Sequence, residues 1–224
     1  MEMELLVALG SITLINLILS GDNAVVIALA SRNLPPGQRT KAVLWGSAGA
    51  VILRILLTLV AAFLLRIPYV QFFGGLALVY IAVNLLGNKH EEVACEGAGS
   101  FWEAIKVIIF ADLIMSLDNV LAIAGVADGH FGLLVFGLAL SVPLVVFGSQ
   151  MLMKLMDKFP IIIWAGSAIL AWTAAKMMVA DEKLGVWFEP YALMLEIGVT
   201  VAVLGIGYWQ KKRGQAGSKD THGA

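Results

Sequence analysis

The sequence predicts an all-α membrane protein with seven transmembrane helices, arranged as two inverted three-helix repeats plus a seventh helix. Three observations predict this fold class. The 224 residues are 60% hydrophobic and only 14% charged, with a mean hydropathy of +0.89. The apolar residues fall into seven long stretches separated by short turns. Two groups of three stretches also resemble each other in sequence.

The composition excludes several classes of protein. A soluble domain carries about 25% charged residues, and this chain has too few to cover a water-facing surface, so a cytosolic enzyme is excluded. No catalytic triad or phosphate-binding loop is present, and we expect no catalytic residues and no cofactor. The net charge is −1 and the longest basic block is Lys211-Lys212-Arg213, which argues against a nucleic-acid partner. Cys95 is the single cysteine and excludes an internal disulfide.

Seven stretches approach or exceed the ~20 apolar residues that a helix needs to cross a bilayer. They are residues 5–30, 42–65, 68–87, 102–127, 131–153, 160–179 and 191–209. Turn-forming residues separate them at Leu34-Pro35-Pro36-Gly37, Arg66-Ile67-Pro68, Gly87-Asn88-Lys89, Asp128-Gly129-His130, Lys158-Phe159-Pro160 and Glu189-Pro190. We therefore expect a single transmembrane domain over residues 1–210 and a polar cytoplasmic tail over 211–224.

The Lys and Arg residues between the stretches are distributed unevenly. One side of the predicted membrane collects Arg32, Arg39, Lys41, Lys89, Lys106, Lys154, Lys158, Lys211, Lys212, Arg213 and Lys219. The other side has only Arg66, Lys176 and Lys183. Because basic residues collect on the cytoplasmic side, the bias predicts a multi-pass membrane protein with its N-terminus outside and its tail in the cytoplasm.

An internal repeat is the most informative pattern. Ser-Gly-Asp-Asn at residues 20–23 matches Ser-Leu-Asp-Asn at 116–119, and the third and sixth stretches match through Pro68 with Pro160. Repeat 1 covers about residues 5–88, repeat 2 about 101–179, and the extra helix 191–209. Since each repeat has an odd number of helices, the second enters the membrane from the opposite side, as in many secondary transporters. Chance likeness among apolar helices is the alternative, and the shared Asp-Asn pairs argue against it.

Five ionisable residues fall inside the predicted spans: Asp22, Asp112, Asp118, Arg54 and Glu196. Charged residues cost ~2.5–3.5 kcal/mol each at bilayer depth on insertion scales, so they are candidates for function. The alternative is that they only join helices by hydrogen bonds, worth ~0.6 kcal/mol on average. Arg54 has no counterpart in repeat 2, where Val145 is the nearest match. We expect it to face Asp112, Asp118 or Glu196, as a structural counter-ion or in gating or coupling.

Polar residues form a stripe on each of the two matching helices. Asn16, Ser20 and Asn23 follow an i, i+4, i+7 spacing, and so do Asp112, Ser116 and Asn119. The stripes offer carboxylate, amide and hydroxyl oxygens without His or Cys, which suits a hard dication such as Mn²⁺, Mg²⁺ or Ca²⁺. Protons could neutralise the three acids when the ion leaves, so proton exchange is a natural coupling.

The two motifs resemble the TerC family of bacterial integral membrane proteins. They are Leu-Ser-Gly-Asp-Asn-Ala-Val at residues 19–25 and Ala-Asp-Leu-Ile-Met-Ser-Leu-Asp-Asn-Val at 111–120. The similarity covers about residues 5–209 and is nearest to the short branch typified by YjbE-like proteins. It implies membership of the LysE-type exporters and export of divalent metal, manganese above all. It also implies that Asp22, Asn23, Asp118 and Asn119 coordinate the ion, with Asp112 alongside. Many relatives carry an acid where this chain has Asn16.

The leading hypothesis is a transporter that exports manganese or a similar dication by alternating access around Asp22 and Asp118. The metal ion is then substrate rather than cofactor, and Asn16, Ser20, Ser116, Arg54 and Glu196 are candidate accessory residues. Two alternatives stay open. One is an exporter of another small cationic solute, such as a basic amino acid. The other is a membrane partner that delivers metal to secreted proteins or supports an envelope complex.

Overall fold

A computed structural model describes residues 21–64, 67–87, 98–127 and 131–220 of the chain. Within these ranges the chain is helical and contains no strand. The helices are α1 (Gly21–Ser31), α2 (Pro36–Leu64), α3 (Val70–Leu86), α4 (Ala98–Ala127), α5 (Phe131–Lys158), α6 (Ile161–Val179), the single turn α7 (Gly185–Phe188) and α8 (Ala192–Asp220), with a 3₁₀ turn at Glu189–Tyr191 between the last two. The prediction of an all-α chain is confirmed for these residues.

The predicted turns set the helix boundaries wherever the structure describes them. Helix α2 begins at Pro36, a position where proline loses no hydrogen bond because the first N–H groups of a helix have no partner in it. Helix α5 ends at Lys158 and α6 begins at Ile161, directly after Pro160. The turn predicted at 128–130 lies outside the described residues.

Several helices continue beyond the apolar stretch that predicted them. Helix α2 starts before residue 42, α5 continues past 153, and α8 runs past 209 to Asp220. A helix that is already formed gains one backbone hydrogen bond per added residue, so extension into polar sequence needs no burial. Most of the segment predicted as a polar tail therefore continues the last helix.

Three of the described helical segments are long and apolar enough to cross a membrane: Pro36–Leu57, Ile161–Val179 and Gly185–Lys212. The described parts of α1 and α3 are apolar but shorter. Large apolar side chains stand on the outside of the protein, among them Trp45, Phe147, Ile161 and Met194, each at least 65% exposed. Such a surface would be costly in water and is suited to lipid.

The chain divides into two compact units. One comprises Met1–Val70 and Gly97–Lys158, and the other Gln71–Glu96 and Phe159–Ala224. The first unit contains α1, α2, α4 and α5, and the second contains α3, α6, α7 and α8. Each unit thus combines equivalent helices from both predicted repeats.

In the first unit, α2 packs most extensively against α4, and α1 packs against α5 and α4. Two glycines allow the close approach of α2 to α4. A methyl group at Gly46 would lie 2.9 Å from Cδ1 and Cγ2 of Ile108, and one at Gly49 would lie 2.7 Å from Cδ1 of Ile109. Small residues at a helix interface let the two backbones come together.

In the second unit, α6 packs against α8, and the turn after α6 holds the start of α3. The carboxylate of Asp181 accepts backbone N–H bonds from Phe72 at 3.2 Å and from Lys183 and Leu184 at 3.0 Å. Phe72 lies in the first turn of α3, where N–H groups lack partners within the helix. Asp181 therefore caps α3 from a distant part of the chain.

Candidate cation site

A buried cluster of polar side chains joins three helices of the first unit. Arg54 on α2 donates from Nη2 to Oδ1 of Asp112 on α4 at 2.6 Å, and from Nε to Oγ of Ser116 at 2.8 Å. Ser116 in turn donates to Oδ2 of Asp112 at 3.2 Å. Arg54 is 3% exposed, Asp112 7% and Ser116 0%. The three side chains form a closed ring of hydrogen bonds away from solvent.

Asn23 connects α1 to this ring. Its Nδ2 donates to Oδ1 of Asp112 at 2.7 Å, and its side chain is buried. The carboxylate of Asp112 is therefore bound by groups from α1, α2 and α4. The expectation that Arg54 faces a membrane acid is confirmed, and the acid is Asp112. The physical reason is that a guanidinium removed from water needs a counter-charge and hydrogen-bond acceptors.

A small cavity adjoins the cluster, with room for a water molecule or an ion of similar size. It is lined by residues of α1, α2, α4 and α5: Asn23, Ile27, Ser47, Ala50, Val51, Arg54, Asp112, Val142 and Val145. Val145 is the predicted counterpart of Arg54 in repeat 2. The two predicted counterparts thus line one cavity, and one of them is apolar.

Two oxygens in this cavity wall have no hydrogen-bond partner among the described residues. They are Oδ1 of Asn23 and Oγ of Ser47, and each residue is 3% exposed. A buried polar atom without a partner costs ~1–3 kcal/mol. Together with the Asp112 carboxylate they offer an all-oxygen donor set, which suits a hard cation.

Ser47 lines the cavity but was not among the residues predicted from the sequence. It lies two helical turns before Arg54, on the same face of α2. In the sequence, the position of Ser47 two turns before Arg54 was the one indication that it shares a face with that arginine. A lone serine in an apolar helix gives no other indication of a site.

The remaining predicted residues differ in what the structure says of them. Asp22 is half-buried and accepts the backbone N–H of Asn23 at 3.0 Å, but it does not line the cavity. Glu196 is half-buried on α8 in the second unit. The structure describes the backbone of Asp118 and Asn119 within α4 but not their side chains. Asn16 and Ser20 lie outside the described residues.

Among the residues that the structure describes, no three His, Cys, Asp or Glu side chains come together as a metal cluster. Of the described acids, Asp112 lines the cavity, and Asp22 is the chain neighbour of Asn23, which also lines it. The described part of the site is therefore one carboxylate held by a cation, with neutral oxygens beside it.

The profile of the integral membrane protein TerC family matches residues 1–215. The chain belongs to the TerC family. The resemblance inferred from the two Asp-Asn motifs is thereby confirmed, and the chain is an integral membrane protein.

Several TerC-type proteins are similar to the chain. The membrane protein YjbE of Bacillus subtilis is 43% identical over 215 residues, which cover 94% of this chain and 99% of YjbE. YkoY of the same organism is 28% identical over 204 residues, covering 79% of this chain and 62% of YkoY. The inner membrane protein YgdQ of Escherichia coli K12 is 29% identical over 174 residues, covering 68% of this chain and 72% of YgdQ. No solved structure matches the chain.

Proposed function

We propose that this TerC-family protein exports divalent cations, manganese first among them, across the bacterial cell membrane. The observation that carries the proposal is the pair of buried, unpartnered oxygens of Asn23 and Ser47 in the same cavity as the Asp112 carboxylate. Carboxylate, amide and hydroxyl oxygens are the donors preferred by Mn²⁺, Mg²⁺ and Ca²⁺. The cation is the substrate of the protein rather than a resident cofactor.

In this proposal Asn23, Ser47 and Asp112 form one side of the cation site. Arg54 and Ser116 hold the Asp112 carboxylate in position. Asp22, Asp118 and Asn119 complete the ligand set, as the family resemblance implies. Asn16, Ser20 and Glu196 remain accessory candidates.

The packing of the first unit supports the proposed inverted repeat. Gly46 contacts Ile108, and further along α2 Arg54 contacts Asp112 and Ser116, so residue numbers rise together on α2 and α4. Two helices in that register run parallel. The short connection over residues 32–35 makes α1 antiparallel to α2. Helix α4 then runs opposite to α1, its counterpart in the repeat.

The contacts between helices also support the proposed inverted repeat. In the proposed repeat, α1 is the counterpart of α4, and α2 is the counterpart of α5. The contact between α2 and α4 should therefore have a counterpart between α5 and α1. Both contacts are among the most extensive in the first unit. This exchange is the one expected of two inverted repeats. We propose seven membrane-crossing helices, with the N-terminus outside, and alternating access between the two halves.

Cavity size favours a metal ion over an organic solute. The space beside Asp112 suits an ion or a water molecule, and the described residues that line it include no aromatic side chain. A basic amino acid would need a larger pocket and contacts for its α-amino and α-carboxyl groups. The described cavity is too small for such a solute.

A panel of intracellular metal contents tests this function. A deletion strain would be complemented with the wild type, Asp22→Asn, Asp112→Asn, Asp118→Asn and, as a matched control, Ser167→Ala. Ser167 is a buried serine of the second unit whose hydroxyl has no partner among the described residues. We expect the Asp variants, but not the control, to accumulate manganese when expressed at wild-type levels. Identical contents for every divalent ion would show the site assignment to be wrong.

Proton exchange is proposed as the coupling, since protons on the acids can replace the charge of the departing cation. Everted membrane vesicles loaded with an Mn²⁺-sensitive dye would report the flux. Collapse of the proton gradient by an ionophore should stop uptake into the vesicles. Flux that continues unchanged would exclude this coupling without excluding metal export.

A further inference from the structure

We propose that Arg54 is a tethered competitor of the transported metal for Asp112, and that this competition selects divalent over monovalent cations. The inference rests on the proposed function and adds a specificity-determining residue to it. Arg54 and Asp112 line the same cavity, and Nη2 lies 2.6 Å from Oδ1. The arginine thus occupies the carboxylate on which a metal ion in this cavity would depend.

The hydrogen bonds of Asp112 leave little capacity for a further ligand. Oδ1 already accepts two bonds, from Nη2 of Arg54 and from Nδ2 of Asn23, and Oδ2 accepts the Ser116 hydroxyl. An oxygen has two lone pairs for such bonds. A cation that ligates Oδ1 must therefore displace one of these two donors, and its charge repels the guanidinium rather than the neutral amide of Asn23. The bond from Nε to Ser116 keeps the displaced arginine near the site.

The charge balance of this exchange depends on the valence of the incoming ion. A guanidinium does not lose its proton in proteins, so its positive charge is permanent. K⁺ or Na⁺ would only replace one positive charge at Asp112 with another. Such an ion would lose its hydration water without gaining a stronger attraction to the carboxylate than the guanidinium already has. A dication brings one more charge to the carboxylate, and this added attraction offsets its own greater loss of hydration. Arg54 therefore rejects monovalent ions more strongly than divalent ones.

The position equivalent to Arg54 in the predicted second repeat carries no charge. Val145 is the equivalent residue on α5, and it lines the same cavity without a charge. Buried ion pairs are often replaceable by apolar residues with no loss of stability. The charge of Arg54 therefore belongs with the Asp112 site and is not a feature that the two predicted repeats share.

Mn²⁺ binding to the purified protein, with and without K⁺, tests the proposal. Ionic strength would be held constant with choline, which is too large for the cavity. We expect Arg54→Gln to bind Mn²⁺ about tenfold tighter than the wild type in K⁺-free buffer, because a nearby positive charge is removed. Added K⁺ should weaken binding to Arg54→Gln and leave the wild type unchanged. In vesicles the same variant should show a lower KM together with a lower kcat, since a tightly held ion leaves slowly.

Two further variants complete the experiment. Arg39→Gln removes a more exposed arginine of the same helix, paired with Asp157, and should behave as the wild type. Arg54→Lys keeps the charge but loses the Nε bond to Ser116. It should bind Mn²⁺ more tightly than the wild type and remain insensitive to K⁺.

The outcomes separate this inference from the function on which it rests. Unchanged Mn²⁺ affinity and no K⁺ effect in Arg54→Gln would overturn the role of Arg54 while leaving metal export intact. Absence of Mn²⁺ binding and flux in the wild type would instead overturn the proposed function. If Arg54→Gln does not fold, Arg54→Lys decides the matter, because an affinity equal to that of the wild type contradicts competition.

Discussion

Arg54 on α2 and Asp112 on α4 form an ion pair of 2.6 Å in which neither residue is more than 7% exposed. The partners are 58 residues apart in sequence and belong to different repeats. Removing both charges from water costs several kcal/mol per ion, and the bonds from Asn23 and Ser116 help to offset that cost. The pair joins the two repeats at the point where the proposed cation site lies.

The first prediction concerns the stability of this pair. Asp112→Asn leaves the buried guanidinium without that counter-charge, and we expect the free energy of unfolding to fall by about 3–5 kcal/mol. Arg54→Gln should cost less, because Asn23 and Ser116 still donate hydrogen bonds to the Asp112 carboxylate. The double variant should recover most of the loss. Unfolding of the purified protein in detergent would measure all three, and purely additive losses would argue against a coupled pair.

Ser47→Ala should weaken metal binding without weakening the fold. The hydroxyl has no partner among the described residues, so its removal costs no hydrogen bond. We expect Mn²⁺ affinity to fall about tenfold, at the low end of what removal of a group near a metal site costs. Ser167→Ala deletes a comparable buried hydroxyl in the second unit and should not alter affinity. Equal effects of the two variants on Mn²⁺ titrations would exclude Ser47 as a ligand.

Gly46→Ala should disturb the contact between α2 and α4. The added methyl group would lie 2.9 Å from Ile108 Cγ2, close to the α4 backbone, and overpacking of this kind costs about 1–3 kcal/mol. Gly148→Ala on α5 is the control, since no atom lies within 4 Å of its added methyl group. Thermal unfolding in detergent should separate the two variants. A midpoint for Gly46→Ala equal to that of the control would contradict the close approach.

Asp181 should make the stability of the second unit sensitive to acid. Burial alone would raise the pKa of Asp181, but the N–H groups of Leu184, Lys183 and Phe72 outweigh it and hold the pKa below its usual 3.8. Because the folded pKa is the lower one, the ionised carboxylate stabilises the fold above pH 3.8, and this contribution is lost as the pH falls through the folded pKa. Unfolding midpoints measured from neutral pH into this acidic range would show the loss.

Asp181→Asn should lower stability at neutral pH by about 1 kcal/mol, the usual value of a helix cap, and should reduce the acid dependence. Asp157→Asn is the matched control, since Asp157 is 52% exposed in its pair with Arg39. Such surface pairs are worth ~0–1 kcal/mol. If the stability of the Asp181→Asn variant falls with acid as much as that of the wild type, another group causes the acid dependence.

The proposed orientation can be checked with single cysteines in a Cys95→Ser background. Arg39 joins the start of α2 to Asp157 at the end of α5, so these two helix ends share one side of the membrane. Glu182 is exposed in the turn after α6, on the side predicted to be outside. In intact cells Glu182→Cys should react with an impermeant maleimide, and Asp157→Cys only after permeabilisation. The reverse pattern would invert the topology.

The sequence alone was sufficient for the helical class, the described turns at Pro36 and Pro160, and the family. These features depend on local composition: an apolar run of bilayer length forms a helix wherever it lies, and proline interrupts it by its own geometry. The Asp-Asn motifs are equally local. Even the need of Arg54 for a partner follows from one residue and the cost of burying its charge.

Only the tertiary structure decided which groups meet. Asp112 rather than Glu196 pairs with Arg54, Asn23 rather than Asp22 bonds to Asp112 across 89 residues, and Ser47 joins the same cavity. Asp181 caps α3 from 109 residues away. Hydropathy places a helix in the membrane but does not determine its rotation or its neighbours, because lipid and protein interiors are equally apolar. Those were determined by close packing at Gly46 and by the requirement that each buried charge find a partner.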